Sequence, residues 1–209
     1  MNEQTANRRV RRQRSDGART HAAILDAATR LASIEGIQGL TLGRLASELG
    51  VSKSGLYAHF GSKEQLQLDT IDAAMEVFGR EVVLPAERAR EGIHRLEVLL
   101  AAFFSYVERW VFPGGCFFAA LLAEMDATAG AVHDKVVEIE RQWVRDFEGY
   151  VAAAQKRGEI RADIEAAQLV FELYACMELA NYHFVIFRDP ATLERGRRAV
   201  ARILQQARA

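Results

Sequence analysis

Apolar residues recur at helical spacing along almost the whole chain, and this periodicity limits the fold more than any other feature of the sequence. Beyond residue 18, leucine, isoleucine, valine and aromatic residues return every three or four positions, and we find no convincing alternation of apolar and polar residues of the kind that marks a strand. Only three prolines interrupt the 209 residues. The sequence therefore predicts an all-α protein with about nine helices and no sheet.

Residues that begin or end helices divide the first third of the chain into short pieces. Thr20 and Thr41 are expected to cap the first and second helices, and Gly50 is expected to end the second in a left-handed conformation. Ser52 is expected to cap a third helix that runs to Phe60. Two short helices joined by a tight turn at Gly50 are typical of a helix-turn-helix.

The residue types of this motif suit a helix that enters the major groove of DNA. Ala46 is small enough for the two helices to cross closely, and Val51 and Leu56 are expected to pack in the core that the helices share. Gly55 costs roughly 1 kcal/mol of helix propensity relative to alanine, which is understandable if a side chain there would strike the DNA. A small helical hairpin without a DNA role is the alternative interpretation.

The remaining helices are longer and more apolar. Ser62 and Gln65 form a capping box at the start of the fourth helix, which is expected to end near Val83, before Pro85. Asp189, followed by a proline, is expected to cap the last helix. Five helices are expected after the fourth, at about 93–110, 116–125, 132–157, 164–187 and 190–206.

Positive charge is concentrated at the N-terminal end. Residues 1–63 contain ten Lys and Arg against five Asp and Glu, a net charge of +5, whereas residues 64–209 contain seventeen against twenty-three, a net charge of −6. A basic end on an acidic body indicates that this end meets a polyanion. Residues 1–18 lack apolar periodicity and are expected to form a flexible basic arm that grips DNA, although a solvated tail fits the same charges. The arginines of this arm are Arg8, Arg9, Arg11, Arg12 and Arg14.

Residues 20–66, and most specifically their segment VSKSGLYAHFGSKEQL, resemble the N-terminal domain of the tetracycline-repressor (TetR) family. The resemblance implies an all-helical, homodimeric regulator with a three-helix DNA-binding head and a larger body that binds a ligand and dimerises. It divides this chain into the basic arm over 1–18, the head over 19–66 and the body over 67–209.

The resemblance also implies DNA-contacting roles for residues of the head. Thr41, His59 and Lys63 would hold phosphates, whereas Leu56 and Phe60 would be core residues. The residues that would face bases and backbone are Ser52, Lys53, Ser54, Gly55 and Tyr57.

Aromatic residues crowd the body, where most of them are expected to be core. Several carry polar groups, and Glu124, Glu178 and Asn181 lie on otherwise apolar stretches, which is typical of a small-molecule site. We therefore expect a pocket between the helices that begin near residues 93, 116, 132 and 163. Its candidate lining residues are Phe103, Tyr106, Trp110, Phe117, Glu124, Trp143, Phe147, Tyr174, Glu178 and Asn181.

The last two helices carry more apolar residues than one buried face needs. They suit a four-helix interface made of two helices from each subunit of a homodimer. The candidate interface residues, on the apolar face of the final helix, are Leu193, Val200 and Leu204.

Other kinds of site find little support in the sequence. The five histidines lack metal-ligand spacing, and there is no glycine-rich phosphate loop or nucleophile elbow, so no catalytic residue, metal site or cofactor is expected. Cys116 follows two glycines at an expected helix start, where it is either a redox sensor or a small buried residue. The chain shows no disulfide framework, no signal peptide and no apolar run of membrane-spanning length, so a cytoplasmic location away from membranes is expected.

Together these features predict a ligand-responsive transcriptional repressor. It would bind a palindromic operator in double-stranded DNA as a dimer and would be released by a small, largely apolar effector. A helical DNA-binding protein without an effector is the first alternative, and it predicts a filled body with no cavity. A redox-responsive regulator acting through Cys116 is another alternative, and a helical enzyme is the least supported one.

Overall fold

The computed structural model describes the backbone of residues 3–125 and 129–209 and the side chains of residues 19–125 and 129–209. The helices are α1 (Glu3–Glu35), α2 (Leu42–Leu49), α3 (Lys53–Phe60), α4 (Lys63–Phe78), α5 (Leu84–Arg88), α6 (Ile93–Glu108), α7 (Phe117–Glu124), α8 (Ala131–Lys156), α9 (Ala166–Phe187) and α10 (Pro190–Ala207). A π-helical turn, Gly79–Val83, joins α4 to α5 without a break. The described residues therefore form nine separate helical segments. Within these residues no strand occurs apart from one isolated bridge between Ile160 and Arg208, and the all-α prediction is confirmed.

The short helices of the head begin and end where their capping residues predict. Thr41, Ser52 and Ser62 each precede a helix, and each side-chain oxygen accepts a hydrogen bond from the backbone N–H three residues further on, at 3.0–3.2 Å. Gly50 ends α2 with a φ of 65°, a left-handed conformation that glycine adopts without a steric penalty. At the other end of the chain, Asp189 caps α10 as expected.

The first helix begins earlier than the sequence predicts. Thr20 does not cap it, since the backbone of α1 is already helical at Glu3. Residues 3–19 contain no proline and include six arginines, a residue type that favours a helix. The arginine side chains of the predicted basic arm lie outside the described residues.

The fourth helix does not end before Pro85, contrary to the prediction. The backbone N–H of Leu84 donates to the carbonyl of Gly79, five residues back, which widens the helix into a π-turn. Proline has no N–H to donate, and it follows directly after this turn at the start of α5. The chain therefore passes Pro85 without leaving the helical path.

Helix α10 packs closely along α9 and α6 inside the subunit. A Cβ at Gly196 would lie 2.6 Å from the Cβ of Ala180 on α9 and 2.8 Å from the ring of Phe104 on α6, so only glycine fits this crossing. The contact explains why the apolar face of the last helix is not available to a partner.

The three residues predicted to form a dimer interface are buried within the subunit. Leu193 is 0% exposed, and Val200 and Leu204 are also core residues. Their assignment to an interface is wrong because the apolar face of α10 packs against its own subunit.

Helix α9 has an apolar face that the subunit leaves exposed. Phe171, Leu179, Tyr182, Ile186 and Phe187 all point outward, while the opposite side of the helix is buried against neighbouring helices. By length and composition α9 is also long and apolar enough to cross a membrane, contrary to the expectation that no apolar run reaches this length. Of the stretch of α9 that meets this test, 39% is buried inside the subunit, and the core helix of a globular protein can meet the same test.

Candidate functional site

Helix α3 turns one side into the head and leaves the other side exposed. Leu56 and Phe60 are buried in the core of the head, as expected. Tyr57 is 59% exposed, so its ring does not complete the packing of the three helices. The prediction for Val51 is wrong, because the chain leaves the Gly50 turn with this side chain outward and 50% exposed.

The other residues assigned to α3 form a polar, exposed surface around its first turn. Ser52, Lys53, Ser54 and Gly55 are all exposed. The hydroxyls of Ser52 and Ser54 lie 3.2 Å apart. A Cβ at Gly55 would meet only Ser52 Oγ, at 3.2 Å, and would otherwise project into solvent. This end of α3 can therefore approach a large partner closely.

The three residues predicted to hold phosphates already have contacts within the chain. The hydroxyl of Thr41 accepts the capping bond of α2, which leaves its own proton for another acceptor. Lys63 Nζ donates to the carbonyl of Gln38 at 2.8 Å, and a lysine ammonium has further N–H groups to donate. His59 is exposed, and its ring lies 6.0 Å from the ring of His21 on α1.

The body contains a cavity of about 160 Å³ between α4, α6, α7, α8 and α9. Aromatic, aliphatic and sulfur-containing side chains form most of its wall, together with one glycine: Met75, Phe78, Gly79, Val83, Phe103, Cys116, Phe118, Leu122, Val136, Ile139, Trp143, Tyr174 and Met177. The polar lining residues are Glu140, Gln142, Asp146 and Glu178. The cavity lies between helices that the sequence predicts, with α4 as an additional wall.

Four of the predicted ligand-binding residues line this cavity: Phe103, Trp143, Tyr174 and Glu178. The other predicted aromatic residues do not. Tyr106, Phe117 and Phe147 are buried core residues, and Tyr106 Oη accepts a hydrogen bond from the backbone N–H of Phe117 at 3.3 Å. Trp110 stacks against the guanidinium of Arg188, 4.2 Å from the ring centre. The helical spacing of these aromatic residues in the sequence was therefore not enough to predict which of them line the cavity and which lie in the core.

The two remaining polar candidates hold the backbone instead of facing the cavity. Asn181 Oδ1 accepts from the backbone N–H of Cys116 at 2.9 Å, at the start of α7. Glu124 contacts the head, as described below. Both assignments to the ligand site are corrected by these contacts.

Cys116 lines the cavity and is only 3% exposed. Burial and the nearby carboxylate of Glu178 raise the pKa of the Cys116 thiol to about 12. Because the thiolate is the reactive form, a raised pKa disfavours the redox interpretation. Cys116 is a small buried residue.

Sequence reasoning missed Glu140, which lies on the same side of α8 as Trp143, three residues earlier. Tyr174 Oη donates a hydrogen bond to Glu140 Oε2 at 3.2 Å. Burial raises the pKa of Glu140, while the bond from Tyr174 opposes this rise. Burial and the neighbouring charge of Glu140 raise the pKa of Glu178 to about 7. The cavity is therefore apolar and aromatic, with two carboxyl groups inside it.

The loop between α1 and α2 is held by two helices that also line the cavity. Glu124, at the end of α7, accepts hydrogen bonds from the backbone N–H groups of Ile37 and Gln38, each at 3.0 Å. On the other side, Gln67 Nε2 donates to the carbonyl of Ile37 at 2.6 Å, and Lys63 donates to the carbonyl of Gln38, both from α4. These contacts could not be predicted from the spacing of residues in the sequence, because the partners lie as many as 87 positions apart.

A second contact joins the head to the segment before α7. The backbone N–H of Gly114 donates to Ser33 Oγ at 3.3 Å. A Cβ at Gly114 would overlap the backbone carbonyl of Ser33, so the two segments touch directly. The segment before α7 and the end of α7 thus both contact the head.

The described residues contain no group of three or more His, Cys, Asp or Glu side chains arranged to hold a metal ion. The candidate sites are therefore the exposed surface of α3 and the cavity of the body.

Two family models match the chain. Residues 24–69 match the model described as "Bacterial regulatory proteins, tetR family", and residues 92–200 match "Tetracyclin repressor-like, C-terminal domain". The two matches include α2, α3 and the greater part of the body.

Known proteins are similar over long stretches. A TetR transcriptional regulator from Chloroflexus aurantiacus is 27% identical, with a TM-score of 0.84 over 93% of this chain and 98% of that one. The fold of AibR, solved with isovaleryl coenzyme A and operator DNA, is similar with a TM-score of 0.68 at 21% identity, over 88% of this chain and 95% of that one. The nucleoid occlusion factor SlmA of Edwardsiella ictaluri is 30% identical over 120 residues, which are 55% of this chain and 59% of the relative's length.

The family models together span the head and the body, and the similar structures cover nearly all of the chain. The chain belongs to the tetR family of DNA-binding transcriptional regulators, which are not enzymes.

Proposed function

We propose that this regulator is a repressor that binds a palindromic operator as a homodimer and leaves it when a small, largely apolar effector occupies the cavity. One observation carries the proposal: α4 and α7 line the cavity, and the same two helices hold the α1–α2 loop of the head. A molecule that pushes these helices apart would therefore also move the loop that positions the helix-turn-helix.

The proposed DNA-contacting surface is the exposed side of α3 with its flanking residues. The N-terminus of α3 offers backbone N–H groups that suit a phosphate, and Ser52, Lys53 and Ser54 surround it. Tyr57 would reach a base edge or a phosphate with its hydroxyl. Thr41, His59 and Lys63 would bind phosphates on either side.

The proposed dimer forms through the exposed apolar face of α9. Phe171, Leu179, Ile186 and Phe187 are large, exposed apolar side chains on one helix, and such patches are rare on monomeric proteins. Pairing the face with its copy would form an isologous interface. A two-fold symmetric dimer would place its two reading helices on half-sites about one turn of DNA apart, roughly 34 Å.

Release by an effector requires only that it bind one arrangement of the heads better than the other. A coupling of about 1–3 kcal/mol changes operator affinity by roughly 5- to 150-fold. AibR is a similar fold that was solved with both a coenzyme A ester and operator DNA. A DNA-bound role also favours the cytoplasm as the location of this protein.

A DNA-binding protein that acts without an effector is the second candidate, and the relative described as a nucleoid occlusion factor favours it. That candidate predicts a filled body, whereas this body has a cavity of about 160 Å³. The cavity makes the effector-responsive function the better supported one.

The proposal is tested by selecting duplexes from a random pool with the full-length protein and measuring affinity by fluorescence anisotropy. We expect a palindromic sequence, two subunits per duplex, and an affinity that falls steeply with salt, by roughly 0.9 log unit per phosphate contact for each tenfold rise in salt concentration. An isolated half-site bound as tightly as the palindrome would contradict the dimeric operator. Screening small molecules for release of the selected duplex then separates the two candidate functions, since the second predicts that none changes the affinity.

A further inference from the structure

The cavity contains acidic groups without basic partners. Glu140 on α8 and Glu178 on α9 both line it, and Asp146 lies at its more exposed edge. None of the described lining residues is a lysine, an arginine or a histidine. The rest of the wall is apolar or aromatic apart from Gln142, which donates a hydrogen bond to Asp146 at 2.7 Å.

The hydrogen bonds available in this part of the chain do not satisfy the two inner carboxyl groups. Glu140 receives one bond, from the neutral hydroxyl of Tyr174. Among the described residues, no group donates a hydrogen bond to Glu178. Burying a carboxylate without a donor or a cation is costly, and two carboxylates in one apolar space repel each other. A positively charged occupant would remove both penalties.

The aromatic part of the wall is also suited to a cation. Phe78 stands nearly perpendicular to Trp143 and to Phe118, with ring centres 5.3 Å and 5.5 Å apart, and Trp143 is 6.4 Å from Tyr174 at 71°. Rings set at steep angles around a space can offer their electron-rich faces to an ammonium group. The polar tips of Glu140 and Tyr174 lie beside this cluster.

The size of the cavity limits the apolar part of such a ligand. A cavity of about 160 Å³ is comparable to those that hold a single benzene ring. A ring or a short branched chain with one amine or quaternary ammonium group matches this space.

We propose that the effector of this regulator is a small organic cation, an ammonium compound with one apolar ring or short chain, whose charge lies between Glu140 and Glu178 against the rings of Trp143, Phe78 and Tyr174. This inference rests on the proposed function, because it assigns the chemical class of that effector. Binding of such a cation requires the two carboxyl groups, whereas binding of a purely apolar effector does not.

Three probes of similar shape and different charge test the proposal on the full-length protein without DNA. They are 2-phenylethylammonium, its neutral counterpart 2-phenylethanol and the anion phenylacetate, with dissociation constants measured by calorimetry at pH 8. We expect the ammonium compound to bind at least about tenfold tighter than the alcohol, and the anion to bind more weakly than both. Equal or tighter binding of the alcohol would overturn the cationic class, and so would the absence of binding by all three.

Variants assign the preference to the carboxyl groups. In Glu178→Gln and Glu140→Gln the tenfold preference for the ammonium compound should fall to about twofold or less, whereas binding of 2-phenylethanol should persist and so report an intact cavity. Glu138→Gln, an exposed position on the same helix as Glu140, should keep the full preference. An unchanged preference in both cavity variants would overturn the proposal.

Addition of the selected operator separates this inference from the proposed function. Tight binding of the ammonium compound without any effect on operator affinity would leave the cation site standing and would overturn the effector function. If the alcohol released the operator as readily as the ammonium compound does, the effector function would stand and the cationic class of the effector would be overturned.

Discussion

Tyr57 is exposed although it follows the buried Leu56, because neighbouring residues on a helix point about 100° apart. An exposed aromatic ring of this size contributes little to the stability of the head. Its hydroxyl can bind a phosphate or a base edge, and its position beside the first turn of α3 places it with the other polar residues of the proposed DNA surface.

We expect Tyr57→Phe to weaken binding to the selected operator by about 1 kcal/mol, roughly fivefold, with a nearly unchanged melting temperature. The substitution keeps the ring and removes only the hydrogen bond. Fluorescence anisotropy and thermal unfolding measure the two quantities. Tyr150→Phe in the body is the matched control and should leave operator affinity unchanged, whereas parental affinity in Tyr57→Phe would show that its hydroxyl does not contact DNA.

Glu178 makes stability depend on pH in the direction opposite to that of a glutamate whose pKa is lowered by an ion pair. Its pKa is about 7 in the folded chain and near 4.5 when unfolded, so the folded state binds more protons between these values. The contribution of the protonated Glu178 side chain to the free energy of unfolding is therefore fully present below about pH 4.5, and it is lost as pH rises through about 7. The titratable side chains that interact with it are Glu140, Tyr174, Cys116, Tyr106 and Tyr182.

We expect Glu178→Gln to be more stable than the parent at pH 8, by about 3 kcal/mol, and nearly equal to it near pH 4.5. The amide is neutral at every pH, so it avoids the cost of a buried charge. Urea unfolding at the two pH values measures the difference. The control Glu138→Gln should have the parent's unfolding free energy at both pH values. If Glu178→Gln also had the parent's unfolding free energy at pH 8, Glu178 would be ionised in the folded chain without a cost in stability.

At the scale of elements, α7 is a short helix with contacts at both ends. Its start is fixed by Asn181 and its end by the double hydrogen bond of Glu124 to the α1–α2 loop. Gly36, in that loop, has a φ of 80°, and a Cβ there would overlap the Glu124 carboxylate. The loop conformation and the carboxylate are therefore fitted to each other.

We expect Glu124→Gln to loosen the α1–α2 loop without unfolding the head. A glutamine side chain offers one oxygen acceptor and turns an N–H towards the other backbone N–H, so one of the two bonds to Ile37 and Gln38 is lost. Loss of a bond to a charged acceptor is worth about 1.5–3 kcal/mol, which would speed amide exchange in residues 36–40 by roughly tenfold or more.

Hydrogen-exchange mass spectrometry of the loop measures this effect, with Glu138→Gln as the control that should match the parent. Unchanged exchange of the loop in Glu124→Gln would show that α7 does not hold the head. In the proposed function the same variant should also release the operator less completely when an effector is bound.

At the scale of the whole molecule, the exposed face of α9 is the largest apolar feature that the described chain leaves uncovered on one helix. Helix α10 cannot supply the interface through Leu193 or Val200, because these side chains already pack inside the subunit. Charged residues at those two positions should therefore unfold the chain, and substitutions that affect only assembly belong on α9.

We expect Ile186→Asp to convert the proposed dimer to a folded monomer at micromolar concentration, with at least a tenfold loss of affinity for the proposed palindromic operator. Ile186 is 68% exposed, so the carboxylate costs little in the isolated subunit but would be buried in the pairing. Light scattering and circular dichroism measure assembly and folding. Ile34→Asp, at an isoleucine 65% exposed on α1, should stay dimeric, and a dimeric Ile186→Asp would place the interface elsewhere.

The sequence by itself determined the all-α class and the starts of four of the helices. Caps, glycines and helical periodicity act within a few residues, so the starts of α2, α3, α4 and α10 were predictable. The outward position of Tyr57 followed from the buried Leu56 by helix geometry. Periodicity shows that a residue is on an apolar face, and this was enough for the all-α fold.

Only the tertiary structure decided what each apolar face meets. Helical periodicity did not reveal that Leu193 packs within the subunit while Ile186 stays exposed, or that Trp143 lines a cavity while Phe147, four residues later, is core. The contact of Glu124 with the head joins positions more than eighty residues apart, and the carboxyl groups of Glu140 and Glu178 face one cavity only because α8 packs beside α9. Such pairings depend on how whole helices pack together, which local spacing along the chain does not specify.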